Sequence, residues 1–247
     1  MKVILMAAGI GSRISKSIDV PKCTLPINNT PLIVKTVDMF LEKGVEVAIV
    51  TGYKEEYIKK ALSDRNVKYY CNPFYRATNS IASLWFAREF ITDEDLILAN
   101  ADVYWGEGVF DVICQDTHPI VMLGDRSRVD TGDYFFYTDH DYITKFGKEL
   151  LRDERTTEYV GIAKINGTKT KEFRTNLEKM IKEEKYNLWW ENVLYEHLSE
   201  SPVFVTDISA LFWAEIDYID DYERIKTYLR TGDIFCKNEI YHGVDKL

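Results

Sequence analysis

Two basic residues behind a glycine turn, and acidic residues far downstream, are the part of this sequence best suited to chemistry on a polyphosphate. Gly9-Ile10-Gly11-Ser12-Arg13 follows the aliphatic run Lys2 to Met6. It puts small residues where backbone must approach a ligand closely, and an arginine whose fork matches phosphate oxygens. Pro21-Lys22 comes next, the proline restraining the backbone that presents a second cation. Two common phosphate loops are excluded, because a G-x-G-x-x-G turn needs glycine at the position of Ile14 and no Gly-Lys-Ser or Gly-Lys-Thr follows. A lone Gly-x-Gly is also an ordinary tight turn. Asp102, after the run Leu96 to Ala99, and Asp217, in Trp213-Ala214-Glu215-Ile216-Asp217, are hard oxygen donors. Phosphoryl and nucleotidyl transfers recruit such donors, with Mg²⁺, to neutralise a triphosphate. Each acid alone fits a solvated loop or a helix cap equally well, and Asp220 and Asp221 beside Asp217 suit a cap.

Positioning these groups calls for a sheet whose strand ends converge. Lys2 to Met6, Val45 to Val50, Val67 to Tyr70 and Leu96 to Ala99 read as strands. Leu32 to Leu41, Tyr57 to Leu62 and Ile81 to Phe90 carry apolar residues at helical spacing between them. After about residue 120 the strand-like pieces Ile120 to Leu123, Tyr134 to Tyr137, Tyr142 to Phe146 and Gly161 to Ile165 follow one another. Helices resume near Thr168, from Trp189 to Leu198 and from Asp220 to Leu229, with strands at Val203 to Thr206 and Leu211 to Ala214. The expected fold class is α/β: a doubly wound, mostly parallel, Rossmann-like central sheet with an added, partly antiparallel layer. Residues 1–247 are expected to form a single domain, with a nucleotide-binding half (1–118) and an acceptor-binding, metal-completing half (119–247). Ligands of such sheets gather at the carboxyl ends of the strands, which brings the Gly9 loop and Asp102 to one edge.

Composition narrows the classes. With 31 Lys and Arg against 40 Asp and Glu, a net charge of −9 argues against general affinity for nucleic acid, while leaving room for a local basic nucleotide pocket. The four cysteines, Cys23, Cys71, Cys114 and Cys236, show no zinc-type spacing and read as reduced, mostly buried thiols. The four histidines have no nucleophile or triad partner nearby and read as surface residues. The first apolar run is shorter than the roughly 7–15 residue core of a signal peptide, and no later run reaches the roughly 18 residues of a membrane span. A cytoplasmic protein without membrane insertion is expected, and oligomeric state stays open.

Ala7-Ala8-Gly9-x-Gly11-Ser12-Arg13 with Pro21-Lys22 resembles the signature of the sugar-nucleotidyltransferase superfamily. The resemblance implies that Ala7, Ala8, Gly9, Gly11 and Ser12 hold the nucleotide, that Arg13 meets the departing β and γ phosphates, and that Lys22 faces the α-phosphate. It implies Mg²⁺ as cofactor, with Asp102 and Asp217 as ligands and Glu215 as a weaker candidate. Asn72-Pro73-Phe74 with Thr78-Asn79-Ser80-Ile81-Ala82-Ser83-Leu84-Trp85 is similar to the phosphocholine cytidylyltransferase branch, and to 2-aminoethylphosphonate cytidylyltransferases. By that resemblance Asn79 and Ser83 lie beside a pyrimidine, although Asn79 or Ser80 also suits a helix N-cap.

Lys148 occupies the position where the family places a second lysine on the acceptor phosphate, in a departed context that leaves Lys145 as an alternative. Glu158-Tyr159-Val160-Gly161 resembles the E-x-x-G segment lining the acceptor. Around it stand Asp130, Asp133, Tyr134, Tyr159, Trp189, Trp190 and Glu191, carboxylates beside aromatic faces that suit a small cation. Asp133, Tyr159, Trp190 and Glu191 are the candidates for acceptor binding. The implied partners are CTP and a small anionic acceptor bearing phosphate or phosphonate, such as phosphocholine or 2-aminoethylphosphonate, joined with release of pyrophosphate. A sugar-1-phosphate nucleotidyltransferase is the alternative. A silent nucleotide sensor would not need Arg13, Lys22, Asp102 and Asp217 together, and a glycosyltransferase DxD pair is missing from Asp102-Val103-Tyr104.

Overall fold

A computed structural model describes residues 1–11 and 19–235. In chain order its elements are β1 (Lys2–Ala7), β2 (Pro26–Ile27), β3 (Thr30–Pro31), α1 (Leu32–Glu42), β4 (Glu46–Thr51), α2 (Glu55–Ala61), β5 (Lys68–Cys71), α3 (Ser80–Phe86), β6 (Leu96–Asn100) and β7 (Val103–Trp105). They continue with α4 (Val109–Gln115), β8 (Ile120–Asp125), β9 (Phe135–Asp139), β10 (Tyr142–Gly147), β11 (Thr157–Ile165), α5 (Gly167–Lys182), α6 (Asn192–Tyr195), β12 (Phe204–Asp207), β13 (Trp213–Glu215) and α7 (Ile219–Thr231).

The main sheet has nine strands in the order β5-β4-β1-β6-β11-β8-β12-β10-β9. The first four are parallel. Beyond them β11 runs antiparallel to β6, with Ile162 opposite Ala99, which brings the start of β11 to the edge where β6 ends. The expected antiparallel strands therefore extend the same sheet rather than forming a layer of their own. The sheet's last strand, β9, folds back to pair Phe136 with Thr157 at the start of β11.

Period-two alternation in the central strands explains the two-sided burial. Ile4, Ala48, Val50, Leu96 and Leu98 join α3 and α5 in one core, through Ile81, Leu84, Phe173 and Leu177. Val3, Leu5, Val47, Ile49, Ile97 and Ala99 pack the other way, on Ile33, Val37 and Phe40 of α1 and Ile58 of α2. A smaller third core joins Leu25, Ile27, Phe212, Ala214 and Ile216 to Ile225 of α7. Two expectations change. The segment Trp189 to Leu198 contains only the short helix α6, because Trp189 and Trp190 enter it as a turn pinned to α3. Of the described cysteines only Cys23 is buried, while Cys71 is exposed. Among the described residues no helix is long and apolar enough to cross a membrane.

The strand that ends in Glu215 is anchored by a buried polar contact. Trp213 Nε1 donates to Asp125 Oδ2 at 2.8 Å, and the other oxygen of Asp125 accepts from Ser127 N at 2.8 Å. Asp125→Ala strands the indole donor inside the core and is expected to lower unfolding free energy by about 1–3 kcal/mol. Chemical denaturation checks this, and a midpoint equal to the parent's refutes it.

Candidate active site

Four chain segments meet at the carboxyl edge of the parallel strands. Gly11, four residues past β1, has φ +67°, and a Cβ there would fall 2.6 Å from Cε and 3.0 Å from Cγ of Lys22. Glycine thus leaves a track for the aliphatic stem of Lys22. The lysine begins a tight turn closed by Thr24, whose N donates to Pro21 O at 2.8 Å and whose Oγ1 donates to the same oxygen at 2.7 Å. Its ammonium lies 3.3 Å from Asp102 Oδ2 and bonds Asp217 Oδ1. Asp217 reaches Asp102 because β13 pairs with β7, Glu215 opposite Val103, and Ile216 N donates to Asp102 O at 3.0 Å. Asp221 completes the arrangement by accepting from Asp217 N at 3.0 Å and Tyr218 N at 2.8 Å, which is the capping role its position suggested.

The charges in this cluster depend on one another. Burial pushes the Lys22 ammonium down, but Asp102 and Asp217 more than offset it, and its pKa lies above that of an ordinary lysine. Burial raises the Asp102 carboxyl, an effect that Lys22 opposes and Asp217 reinforces. Glu215 is raised far more, by burial and then by repulsion from Asp102 and Asp217. It accepts from Asn100 Nδ2 at 3.2 Å instead of joining the other two acids. Among the described residues no three Asp, Glu, His or Cys are grouped to hold a metal. Glu215, the weaker candidate for a metal ligand, bonds Asn100 while Asp102 and Asp217 share the Lys22 ammonium. Asp102 and Asp217 alone converge on one cation, a donor set that suits Mg²⁺, which is commonly held by one or two carboxylates with water and phosphate filling the rest.

Next to this centre, the loop before α3 is built on Asn72, which is fully buried. Asn72 Nδ2 donates to Ser83 Oγ at 2.8 Å and to Thr78 Oγ1 at 3.1 Å, and Asn72 Oδ1 accepts from Phe74 N at 2.8 Å. Asn79 caps α3, its Oδ1 accepting from Ser80 N at 2.8 Å, while Nδ2 donates to Asn187 O at 3.3 Å. The cap alternative holds for Asn79, and one amide hydrogen is left for a ligand.

Across the opening, Lys148 Nζ bonds Asp133 Oδ2 at 2.5 Å and lies 5.6 Å from the centre of the Trp189 ring. Tyr134 touches Trp189 edge-on, with ring centres 5.5 Å apart, and stacks on Tyr195 at 6.1 Å. Glu191 sits among these rings. Its side chain is buried, its pKa is pushed up to about 7 by that burial, and no described lysine, arginine or histidine offsets the charge. Lys145 pairs with Glu154 away from the opening.

A single cavity of about 400 Å³ joins these parts. Its walls include the predicted residues Ala7, Ala8, Gly9, Gly11, Lys22, Asn79, Ser83, Asp102, Asp133, Lys148, Tyr159, Glu191, Glu215 and Asp217. Ser12 and Arg13 lie outside the described residues. Trp190 is a correction: its ring is fully buried in the core, with Nε1 donating to Asn100 Oδ1 at 3.3 Å, and its neighbour Trp189 lines the cavity instead. Glu158, in the segment that resembles an acceptor wall, accepts from Arg128 Nε at 2.6 Å and from Asp133 N at 3.0 Å, so it positions the Asp133 loop from behind. Gly161 of the same segment, at φ +83°, leaves room for Asn100 Nδ2, which a Cβ would approach to 3.2 Å.

Asn100 and Tyr195 are cavity residues that the sequence reading left out of the site, and Trp189, named beside it, was passed over for Trp190. A polar residue closing the aliphatic run Leu96 to Ala99 was a usable signal for Asn100. Tyr195 was findable from its four-residue spacing to Glu191.

The profile of the MobA-like NTP transferase domain matches residues 3–129, just over half of the chain. The chain belongs to the MobA-like NTP transferase family. It is 23% identical over 235 residues to the choline-phosphate cytidylyltransferase of Streptococcus pneumoniae, covering 93% of this chain and 99% of that protein. It is 26% identical over 228 residues to the 2-aminoethylphosphonate cytidylyltransferase of Lancefieldella rimae, covering 87% and 88%. The solved structure of the CTP:phosphocholine cytidylyltransferase from Streptococcus pneumoniae superposes with a TM-score of 0.74 at 22% identity, over 92% of this chain and 98% of that one. The nucleotidyltransferase fold, Rossmann-like with a mixed sheet, is thereby shared.

Gly11 gives the first test of the triphosphate end. Gly11→Ala strains a left-handed backbone and pushes a methyl group into the Lys22 stem. Pyrophosphate release is expected to fall at least about tenfold, the scale of one misplaced charge contact, with the melting temperature nearly unchanged. Parent-level turnover would show that the Lys22 track is not needed.

Proposed function

We propose that this chain is a cytidylyltransferase that moves CMP from CTP onto a small acceptor with a phosphate or phosphonate at one end and an amine at the other. The observation that carries the reading is Glu191, a buried carboxylate without a cationic partner, in the wall of a nucleotidyltransferase cavity among Tyr134, Tyr159, Trp189 and Tyr195. An unpaired carboxylate in such a place is costly in the free protein and is offset by a cationic ligand. Aromatic faces add to the attraction. The relatives named for phosphocholine and 2-aminoethylphosphonate agree with this chemistry. The sugar-1-phosphate alternative loses support because Glu158, the acid of the segment that resembles an acceptor wall, is tied to Arg128 and the Asp133 amide.

In this reading the acceptor oxyanion attacks the α-phosphorus in line, the new P–O bond forms as the α–β bridge breaks, and pyrophosphate leaves; by family resemblance Arg13 is the residue that meets it. The nucleophile is already anionic at neutral pH, so no general base is needed. Lys22 stabilises the charge that builds on the α-phosphate oxygens. Lys148 holds the acceptor's anionic end, exchanging its bond to Asp133 for one to the ligand. Asn79 and Ser83 border the base, Ser83 Oγ having its hydrogen free while it accepts from Asn72. Mg²⁺, held by Asp102 and Asp217, would supply charge neutralisation to the triphosphate.

Pyrophosphate release from CTP, assayed against a panel of phospho-acceptors, is expected with amine-bearing acceptors, to stop on chelation and to return with added Mg²⁺. Turnover of hexose 1-phosphates with none of the amine-bearing compounds overturns the reading. Persistence in chelator overturns the metal assignment.

Acid strength gives an independent prediction. Burial raises the Glu191 carboxyl to about 7, so it is largely protonated below that pH and attracts an ammonium only as pH rises through it. The acceptor kcat/KM is expected to climb steeply between about pH 6 and pH 8. Because the acceptor's own phosphate titrates near pH 6, the comparison that reports Glu191 is with Glu191→Gln, whose profile should keep only the phosphate limb. Identical profiles for the two proteins would remove Glu191 from acceptor binding.

A further inference from the structure

The walls around Glu191 contain two more polar groups that the reaction outlined above does not use. Tyr159 Oη and Tyr195 Oη are both buried; Tyr159 interacts with Glu191 and Tyr195 with Tyr134, yet neither hydroxyl completes a well-formed hydrogen bond, and each keeps lone pairs for a donor. The residues are 8% and 5% exposed, and both line the cavity. Each phenol lies within the electrostatic reach of Glu191, Tyr159 also of Glu215 and Tyr195 also of Tyr134. Buried hydroxyls almost always complete their hydrogen bonds, so two that do not, beside one carboxylate without a cationic partner, call for a common explanation.

The rings themselves are arranged against one another rather than as an open cage. Phe146 stacks on Tyr195 with centres 4.2 Å apart and planes 18° from parallel, which covers one face of that ring. Tyr134 stacks on Tyr195 at 6.1 Å, meets Trp189 edge-on at 5.5 Å and meets Tyr159 at 6.3 Å. Tyr195 therefore has little free face to give to the methyl groups of a quaternary ammonium, and offers its hydroxyl instead. A protonated primary amine carries three N–H donors. The Glu191 carboxylate, Tyr159 Oη and Tyr195 Oη are three acceptors of matching kind. A trimethylammonium group has no N–H and leaves both hydroxyls unsatisfied.

We propose that the amine end of the cavity selects acceptors with a primary ammonium over those with a quaternary one, through Glu191 and the hydroxyls of Tyr159 and Tyr195. This rests on the cytidylyltransferase reading above and sharpens its acceptor to the aminoalkyl phosphonate or aminoalkyl phosphate class. A site built to hydrogen-bond N–H groups rejects an analogue without them more strongly than an apolar pocket rejects an extra methyl.

The test is a matched series: 2-aminoethylphosphonate and its N-methyl, N,N-dimethyl and N,N,N-trimethyl derivatives, with CTP, in the full-length protein. The expected result is a stepwise fall in kcat/KM amounting to at least about tenfold across the series, with KM for CTP unchanged. Tyr159→Phe and Tyr195→Phe keep the rings and remove only the hydroxyls. Each should lower kcat/KM for the primary amine at least about fivefold while moving the trimethyl compound by less than about twofold. Equal or better use of the trimethyl compound by the parent overturns the selectivity and leaves the cytidylyltransferase reading standing. A primary-to-quaternary ratio that is unchanged in both variants overturns the role of the hydroxyls. Inertness of the whole series alongside turnover of hexose 1-phosphates is a different failure, that of the parent reading itself.

Discussion

The bond between the Lys22 ammonium and Asp217, with Asp102 3.3 Å away on the other side, spans 195 residues of sequence and closes the site. Without a cation between them, two acids brought this close would repel, and burial would add to the penalty. The local architecture is organised to keep that triad together. Gly11 clears the path of the lysine stem, the pairing of β13 on β7 delivers Asp217 beside Asp102, and Asp221 caps the backbone at Asp217. Even the buried Asp125 contributes from a distance, since its bond to Trp213 Nε1 holds the strand that leads into the site.

A second line of contacts connects the triphosphate end to the amine end. Ser80 Oγ accepts from Trp190 N at 2.9 Å, Trp190 Nε1 donates to Asn100 Oδ1, and Asn100 Nδ2 donates to Glu215 Oε1. Backbone bonds from Asn79 N to Tyr186 O and from Ile81 N to Leu188 O stitch the same loop to the start of α3. The segment that turns Trp189 and Glu191 into the cavity is thus fastened to α3 and to the strand that leads to Asp102. Trp190 matters through this position rather than through contact with a ligand: burying its ring turns Trp189 and Glu191 outward into the cavity.

Much of this was readable from the residues, and the divide follows physical scale. The parallel half of the sheet was legible because strand alternation and short crossovers are local patterns, and the Gly9 to Lys22 stretch because its chemistry is contiguous. The register that places Glu215 opposite Val103 is not local, so the sequence order of Trp213 to Asp217 could not say which acid faces the cation and which turns to Asn100. The choice between Trp189 and Trp190 failed for a related reason. Helical spacing was assumed where the chain makes a turn, and a one-residue difference there exchanges a cavity wall for a core side chain. That Glu158, in the segment resembling an acceptor wall, turns to Arg128 and the Asp133 amide could not be read either, because those partners come from a loop whose fold no periodicity announces.

On the proposed function, the charge layout would also account for how an acidic protein takes in two anions. The described cavity wall carries Asp102, Asp133, Glu191, Glu215 and Asp217 against Lys22 and Lys148. Burial and the neighbouring acids raise the Glu215 carboxyl, which bonds Asn100 apart from the other two acids, and Asp133 is matched by Lys148. What remains is Asp102 and Asp217 sharing one ammonium, and Glu191 alone. The first excess negative charge is of the kind the proposed Mg²⁺ would offset as the triphosphate enters, and the second is offset only by a cation on the acceptor. A ligand that is anionic at one end and cationic at the other then has one favourable orientation: its phosphate or phosphonate between Lys148 and Lys22, its amine against Glu191. Reversal would put an anion on an unpaired carboxylate and a cation on two lysines. On the proposed function, the same polarity that would admit the acceptor would also aim its oxygen at the α-phosphorus, making recognition of the amine and alignment of the nucleophile one electrostatic event.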